Sequence, residues 1–242
     1  MRILNREPDI LRHEPLQDDW KNKPSDRFIL RWIKRQISAR ITPRLVHIPW
    51  LRPWMLTFGA AFVGILAGAA FGIGWGFFGG LLAAAAQIFD GVDGQFARFT
   101  GRQSKAGAFL DSIMDRYSDG ALVIGLSLYM TRFPELIALW QVIVLGALAL
   151  IGSNLVSYTT ARAESLGISL GRAPLVSKGT RTTVIALCGV GSLIWPLLPA
   201  IALAYLVIHS NGLVAYRLLK AGRSSSSEPE IMGVEEEYRE PK

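Results

Sequence analysis

Four aspartates stand near one another in the chain, at the ends of two apolar segments. Asp90 and Asp93 are three residues apart and Asp111 and Asp115 are four apart, so each pair shares one face of a helix. A carboxylate at membrane depth costs roughly 2.5 to 3.5 kcal/mol, so four of them require a compensating partner. Mg²⁺ and Mn²⁺ prefer such oxygen ligands, and two ions about 4 Å apart commonly serve displacement at phosphorus. The spacing therefore predicts a divalent-metal site with two ions.

Small residues separate the two acidic pairs. Gly91, Gly94, Ala97 and Gly101 recur every three or four residues and predict a helix surface almost without side chains. A flat ring or a phosphate could approach the backbone there, although small residues at this spacing also pack one membrane helix on another. Arg98, in the same segment, can form paired hydrogen bonds to a phosphate.

This segment resembles the CDP-alcohol phosphotransferases, also called CDP-alcohol phosphatidyltransferases, whose motif is D-x2-D-G-x2-A-R-x8-G-x3-D-x3-D. The sequence matches every fixed position of the motif, namely Asp90, Asp93, Gly94, Ala97, Arg98, Gly107, Asp111 and Asp115. The resemblance implies an integral membrane enzyme, usually a homodimer of six-span subunits. It implies that the enzyme moves a phosphoalcohol from a CDP-alcohol to an acceptor hydroxyl and releases CMP.

The resemblance also assigns roles to the motif residues. It implies that Asp90, Asp93 and Asp111 bind the metal and that Asp115 binds metal or acts as general base on the acceptor hydroxyl. It further implies a CDP-binding surface, on which small residues leave room for the cytidine and an arginine lies near the diphosphate or holds the local carboxylates. That surface comprises Gly94, Ala97, Arg98 and Gly107.

Basic residues on the same side of the predicted membrane are candidates for binding a phosphorylated acceptor. They are Arg116, Arg162, Lys178 and Arg181. The alternative is that they only set the topology, because cytoplasmic loops are rich in Lys and Arg. Asp119 extends the face of Asp111 and Asp115, and we interpret it as a supporting carboxylate rather than a metal ligand.

The acceptor region resembles that of family members that use inositol phosphate. The resemblance favours synthesis of di-inositol phosphate or of a phosphatidylinositol phosphate. The run LysGlyThrArgThrThr at 178–183 departs from the Arg-Thr-Glu-Arg-like run of the phosphatidylinositol-phosphate enzymes. A phospholipid synthase that joins CDP-diacylglycerol to glycerol phosphate or another small alcohol is the alternative.

Six apolar runs are long enough to hold these residues at a membrane surface, since a span needs about 20 residues. They are Trp54–Gly74, Trp75–Phe96, Gly107–Tyr129, Leu136–Tyr158, Thr182–Leu197 and Ala200–Leu219. We expect an all-α polytopic membrane protein of six transmembrane helices. Basic residues concentrate in alternate connections, which predicts that both termini and the active site are cytoplasmic.

The segment Asp26–Ile48 mixes apolar and basic residues and predicts an amphipathic juxtamembrane helix, lying on anionic lipid or packed on the protein. We expect three regions: an N-terminal segment over 1–52, a catalytic membrane domain over 53–220, and a disordered tail over 221–242. No cleaved signal peptide is expected, because no apolar stretch precedes Pro53.

Composition limits the classes of function. Half of the 242 residues are hydrophobic and 24 are glycine, which suits a polytopic membrane protein. The net charge of +7 lies beside the apolar runs, which favours membrane lipids and phosphate ligands over nucleic acid. A cation transporter would carry acidic residues along several spans, and an inactive scaffold would have no reason to retain the whole motif, so both are disfavoured.

Overall fold

The computed structural model describes residues 33–168 and 178–225, and helices are the regular secondary structure of these ranges. A π-helical turn, Lys34–Ser38, leads into α1. The helices are α1 (Ala39–Val46), α2 (Pro53–Gly72), α3 (Gly76–Phe99), α4 (Lys105–Met130), α5 (Leu139–Ser165), α6 (Lys178–Gly191) and α7 (Leu198–Ser225). The prediction of an all-α protein is confirmed.

Three of the described helices are long and apolar enough to cross a membrane: Pro53–Gly72, Leu139–Ser165 and Leu198–Gly222. Large apolar side chains lie exposed on their outer surfaces, among them Phe62 and Ile208. Such surfaces suit a hydrocarbon environment, in which helices satisfy their own backbone hydrogen bonds. A membrane protein is therefore well supported, and the other three of the six spans remain predictions.

Helix α2 is the centre of the site-bearing half of the fold. Both α3 and α4 pack mainly on α2 rather than on each other. Glycines permit this approach: a Cβ atom on Gly68 would lie 2.3 Å from the Ala121 carbonyl oxygen, and one on Gly64 would lie 1.8 Å from Ser118 Oγ. Because α2 stands between the aspartate-bearing helices, it leaves a gap between them.

Both ends of the connection between α3 and α4 are defined by helix caps. Gly101 follows α3 with a positive φ of 62°, and the Arg102 N–H donates to the Ala97 carbonyl at 2.9 Å, as in a Schellman motif. Ser104 then caps α4 by accepting a hydrogen bond from the Gly107 N–H at 3.0 Å. Gly101 therefore ends α3, which corrects the expectation that it continues the small-residue face of the helix.

The N-terminal helix contacts protein on one face. Ser38 and Thr42 are fully buried; the Ser38 hydroxyl donates to the Ile88 carbonyl at 3.1 Å, and Thr42 Oγ1 lies 2.9 Å from Gln95 Oε1. Arg40 and other polar residues of the opposite face are exposed. Packing on α3 was one of the two expected environments; residues 26–32 of the predicted helix lie outside the described residues.

The apolar core lies beyond the polar end of the bundle, away from the aspartates. Phe71 of α2, Leu126 of α4, Ile185 of α6 and Leu203 of α7 are at most 4 % exposed and belong to one cluster. Tyr129 joins this core to the α6–α7 connection by donating its hydroxyl hydrogen to the Pro196 carbonyl at 2.9 Å. The core therefore fixes the relative positions of the helices that carry the polar end.

The fifth predicted span, Thr182–Leu197, is displaced from its helix, which begins at Lys178 and ends at Gly191. The hydropathy pattern places the start of the span after the polar run that ends at Arg181. In the structure, Arg181 is buried inside the bundle and belongs to the helix. Turns at Ser192–Trp195 precede the next helix, so apolar character alone placed the end too late.

Candidate active site

The four aspartates of the motif line one small pocket. Asp90 and Asp93 reach it from the last turns of α3, and Asp111 and Asp115 from the first turns of α4. Its volume is about 40 Å³, enough for a few water-sized species. Thr57 of α2 contributes to the wall. We call this space the ion pocket.

The carboxylates have a spacing suited to a metal. One oxygen from each of Asp90, Asp111 and Asp115 lies within 4.8 Å of the others. Opposite ligands around one Mg²⁺ are about 4.2 Å apart, twice its usual ligand distance. A small inward movement would therefore bring all three oxygens to one ion.

Asp93 provides an independent test of whether this site fits a cation. This residue is 5 % exposed, and its Oδ2 atom is buried with no hydrogen-bond partner among the described residues. Asp90 and Asp111 are its charged neighbours and are also acidic. A buried carboxylate oxygen beside two more acids costs free energy unless a cation binds there, so the donor set fits a divalent metal.

A second, larger cavity opens beside the ion pocket. It has a volume of about 720 Å³, within the usual range for small-molecule sites. Its walls include all four residues predicted to bind CDP, which are Gly94, Ala97, Arg98 and Gly107. The Arg98 guanidinium lies over Gly94, since a Cβ atom there would be 3.3 Å from Nη1. We call this space the donor cavity.

Sequence reasoning missed several residues of the donor cavity. Arg52, Trp54 and Thr57 enter from α2 and the segment before it, and Arg102 from the α3–α4 connection. Arg102 Nη1 also donates to the Leu51 carbonyl at 3.2 Å, which ties the two connections together. The start of α2 and the small-residue motif are far apart in sequence, so only the packing of α2 reveals this juxtaposition.

The two cavities share a wall. Thr57, Asp93 and Asp111 line both of them. A ligand with its phosphates at this wall would meet the carboxylate cluster on one side and Arg98 on the other. The arrangement can hold a nucleotide diphosphate against one or two cations.

Three of the four candidate acceptor residues, Arg116, Arg162 and Arg181, are not among the residues that line either cavity. Arg116 Nη1 is 3.8 Å from Asp115 Oδ2, and Arg162 is exposed near the end of α5. Arg181 is 5 % exposed and pairs with Asp119 at 3.1 Å. Lys178 begins α6, but its side chain lies outside the described residues. Their role in binding an acceptor therefore stays a prediction.

The family model described as CDP-alcohol phosphatidyltransferase matches residues 50–217, more than half of the chain. The chain therefore belongs to this family, as the motif predicted. The matched range begins just before α2 and ends within α7, so it contains both cavities and every helix that lines them.

Several relatives agree with this membership. The chain is 35 % identical over 137 residues to a bifunctional IPC transferase and DIPP synthase of Thermococcus kodakarensis, a match of 57 % of this chain and 30 % of that protein. It is 37 % identical over 107 residues to an archaetidylinositol phosphate synthase of Pyrococcus horikoshii, covering 44 % and 52 % of the two chains. A phosphatidylinositol phosphate synthase of Streptomyces avermitilis is 39 % identical over 116 residues, with coverages of 48 % and 46 %. The chain thus spans about a third to a half of the length of these relatives.

Solved structures show the same fold. The phosphatidylinositol phosphate synthase of Mycobacterium tuberculosis with CDP-DAG bound has a TM-score of 0.66 and 25 % identity, covering 77 % of this chain and 94 % of that chain. A structure of that enzyme in complex with manganese and citrate gives the same TM-score and identity, with coverages of 77 % and 89 %.

Proposed function

We propose that the protein is a membrane CDP-alcohol phosphotransferase that uses an inositol-phosphate-type acceptor. One observation carries the proposal. The motif residues with expected metal roles line the ion pocket, those with expected CDP roles line the donor cavity, and Asp93 and Asp111 line both. A phosphoanhydride placed at that shared wall would lie between carboxylate-bound cations and a guanidinium.

In this proposal, Asp90, Asp93, Asp111 and Asp115 hold two Mg²⁺ or Mn²⁺ ions. When bound, such ions stabilise negative charge on the attacking and leaving oxygens of a phosphoryl transfer. The Mycobacterium tuberculosis enzyme in complex with manganese supports a divalent ion for this fold, and the orphaned oxygen of Asp93 supports one for this chain.

Asp115 is the proposed general base. The acceptor hydroxyl attacks the phosphorus that carries the donor alcohol, the bond from that phosphorus to the CMP oxygen breaks, and the hydroxyl proton passes to Asp115. Its support is position: Asp115 lines the ion pocket but, unlike Asp93 and Asp111, it does not line the donor cavity. A base on the side opposite the leaving CMP suits in-line displacement.

Donor binding is assigned to the donor cavity. Gly94, Ala97 and Gly107 leave space for the nucleotide, and Arg98 approaches the diphosphate. Arg52 and Arg102 line the same space and add positive charge that suits two phosphates. The relative with bound CDP-DAG supports a CDP-alcohol as donor.

The acceptor is proposed to carry a phosphate that Arg116, Arg162, Lys178 or Arg181 binds. The support comes from the relatives, which include an archaetidylinositol phosphate synthase and a phosphatidylinositol phosphate synthase. The relatives also include a bifunctional IPC transferase and DIPP synthase. A phospholipid synthase using CDP-diacylglycerol with glycerol phosphate or another small alcohol is the alternative.

We also propose six spans, with both termini and the active site cytoplasmic, and a homodimer. The support for the spans is the three long apolar helices and the alternation of basic connections. The division into segments 1–52, 53–220 and 221–242 is proposed with them, and the dimer rests on the family resemblance.

The deciding experiment measures CMP release by the purified protein in detergent with Mg²⁺. CDP-diacylglycerol and CDP-inositol are offered separately, each with inositol 1-phosphate or glycerol 3-phosphate. We expect release with an inositol-phosphate acceptor, and none in EDTA or with Asp115→Asn. Release only with glycerol 3-phosphate would favour the alternative acceptor. Absence of both turnover and CDP binding would refute the proposed enzymatic activity and favour an inactive scaffold.

A further inference from the structure

A buried ion pair includes one of the residues that line the ion pocket. Arg181 Nη2 is 3.1 Å from Asp119 Oδ2, and the Arg181 and Asp119 side chains are only 6 % and 17 % exposed. Arg181 Nη1 lies 3.4 Å from the Ser153 carbonyl of α5. Asp119 follows Asp115 by one helical turn on α4 and lines the ion pocket with the four motif aspartates. The pocket therefore has a fifth carboxylate, and a guanidinium engages it from α6.

The start of α6 is fixed from a second side. Gln87 Nε2 of α3 donates to the Gly179 carbonyl at 2.9 Å and lies 3.2 Å from Thr183 Oγ1. Gly179 and Thr182 line the ion pocket. The first turn of α6 is thus anchored to α3 by an amide and to α4 by the ion pair, so Arg181 is held in the protein interior.

We propose that Arg181 is a positioning residue that neutralises Asp119 and thereby reserves the metal for Asp90, Asp93, Asp111 and Asp115. Without the guanidinium, Asp119 would add a fifth negative charge to a pocket of about 40 Å³ and could turn toward a bound ion. With it, one Asp119 oxygen is engaged and the two charges cancel. The inference rests on the metal site of the proposed function and gives Arg181 a role different from acceptor binding.

The two partners should change metal affinity in opposite directions. Arg181→Met leaves an uncompensated carboxylate, so Mn²⁺ should bind about tenfold more tightly; Asp119→Asn leaves an uncompensated guanidinium, so Mn²⁺ should bind about tenfold more weakly. The double variant removes both charges and should bind Mn²⁺ within about threefold of the unaltered protein. Arg181→Lys keeps the charge and should also bind near normally.

The measurement is a titration of the full-length protein in detergent with Mn²⁺, following free Mn²⁺ by electron paramagnetic resonance, without donor or acceptor. Arg132→Met is the matched control: Arg132 stands just past the opposite end of α4 and donates to the Ile73 carbonyl, so its loss should leave Mn²⁺ affinity unchanged. Thermal unfolding in EDTA reports whether each variant folds. If Arg181→Met does not fold, Asp119→Asn, the double variant and Arg181→Lys still test the inference.

The outcomes separate this inference from the function on which it rests. If the unaltered protein binds Mn²⁺ but the Arg181→Met and Asp119→Asn variants do not shift its affinity in opposite directions, the inference is overturned. The metal site itself is then retained. If Arg181→Met raises the Michaelis constant for a phosphorylated acceptor and leaves the Mn²⁺ affinity unchanged, the inference is overturned. Arg181 is then assigned to acceptor binding. No Mn²⁺ binding by the unaltered protein overturns the metal site and the inference together.

Discussion

Replacing Gly94 by alanine should raise the stability of the protein and weaken donor binding. Gly94 lies inside α3 and lines the donor cavity. An added Cβ atom would meet only the guanidinium end of the Arg98 side chain, at 3.3 Å from Nη1 and 3.8 Å from Nη2. Because no backbone obstructs the methyl group, the fold should accept it, while the space that it takes belongs to the cavity.

The size of each effect follows from this geometry. Alanine in a helix interior is about 0.8–1 kcal/mol more favourable than glycine, which raises the Tm of a chain of this size by about 2–4 °C. A methyl group forced into a filled binding site costs about 1–3 kcal/mol, so the dissociation constant of a CDP-alcohol should rise by roughly fivefold to somewhat over a hundredfold. Stability and binding should therefore move in opposite directions.

The assay pairs thermal unfolding in detergent with a titration of CDP-diacylglycerol and of CDP. Gly212→Ala is the matched control, because Gly212 lies inside α7 and an added Cβ atom would meet nothing within 4 Å. It should gain a similar Tm and bind the donor normally. Unchanged donor affinity in Gly94→Ala with the expected gain in Tm would refute the assignment of the donor cavity; a lower Tm would refute the packing argument.

Other perturbations test the remaining parts of the site. Asp115→Asn should abolish CMP release while CDP-donor binding is kept, and turnover at the normal rate would remove the general-base role. Asp93→Asn should weaken Mn²⁺ binding as well as turnover, measured by titration, because it neutralises a buried oxygen that has no other described partner. Gly68→Ala should destabilise the fold by about 1–3 kcal/mol, seen as a lower Tm, since its Cβ atom would lie 2.3 Å from the Ala121 carbonyl oxygen; an unchanged Tm would contradict the close packing of α2 on α4. Arg162→Ala should raise the Michaelis constant for a phosphorylated acceptor several-fold with an unchanged rate constant, and an unaffected constant would leave Arg162 a topology residue.

Local spacing predicted the carboxylate cluster because its residues belong to two consecutive helices. Asp90 and Asp93 share a helix face, as do Asp111 and Asp115, and the link between them is short. The periodicity of a helix therefore carries most of the information about where these side chains point. The same reasoning could not reach Thr57, which completes both cavities from a helix more than thirty residues earlier.

Charge patterns predicted a topology but did not predict individual contacts. Hydropathy assigned Arg181 to a polar connection, whereas it is a buried residue of α6 paired with Asp119. A residue's polarity does not reveal whether another helix carries a partner of opposite charge for it. That information comes only from the packing of α6 against α4.

Helix α2 explains how a dense cluster of carboxylates can be built between helices. If α3 and α4 packed directly on each other, their acidic faces would meet with no room for an ion. Instead, both pack mainly on α2, whose Gly64 and Gly68 admit α4 closely while Ala60 and Ala61 line the ion pocket. The small residues of α2 therefore have two effects with one cause: they bring three helices together and keep the space between the two acidic faces open. A larger residue at Gly64 should thus disturb metal binding as well as stability, because the helix that supports the pocket would be displaced from both walls.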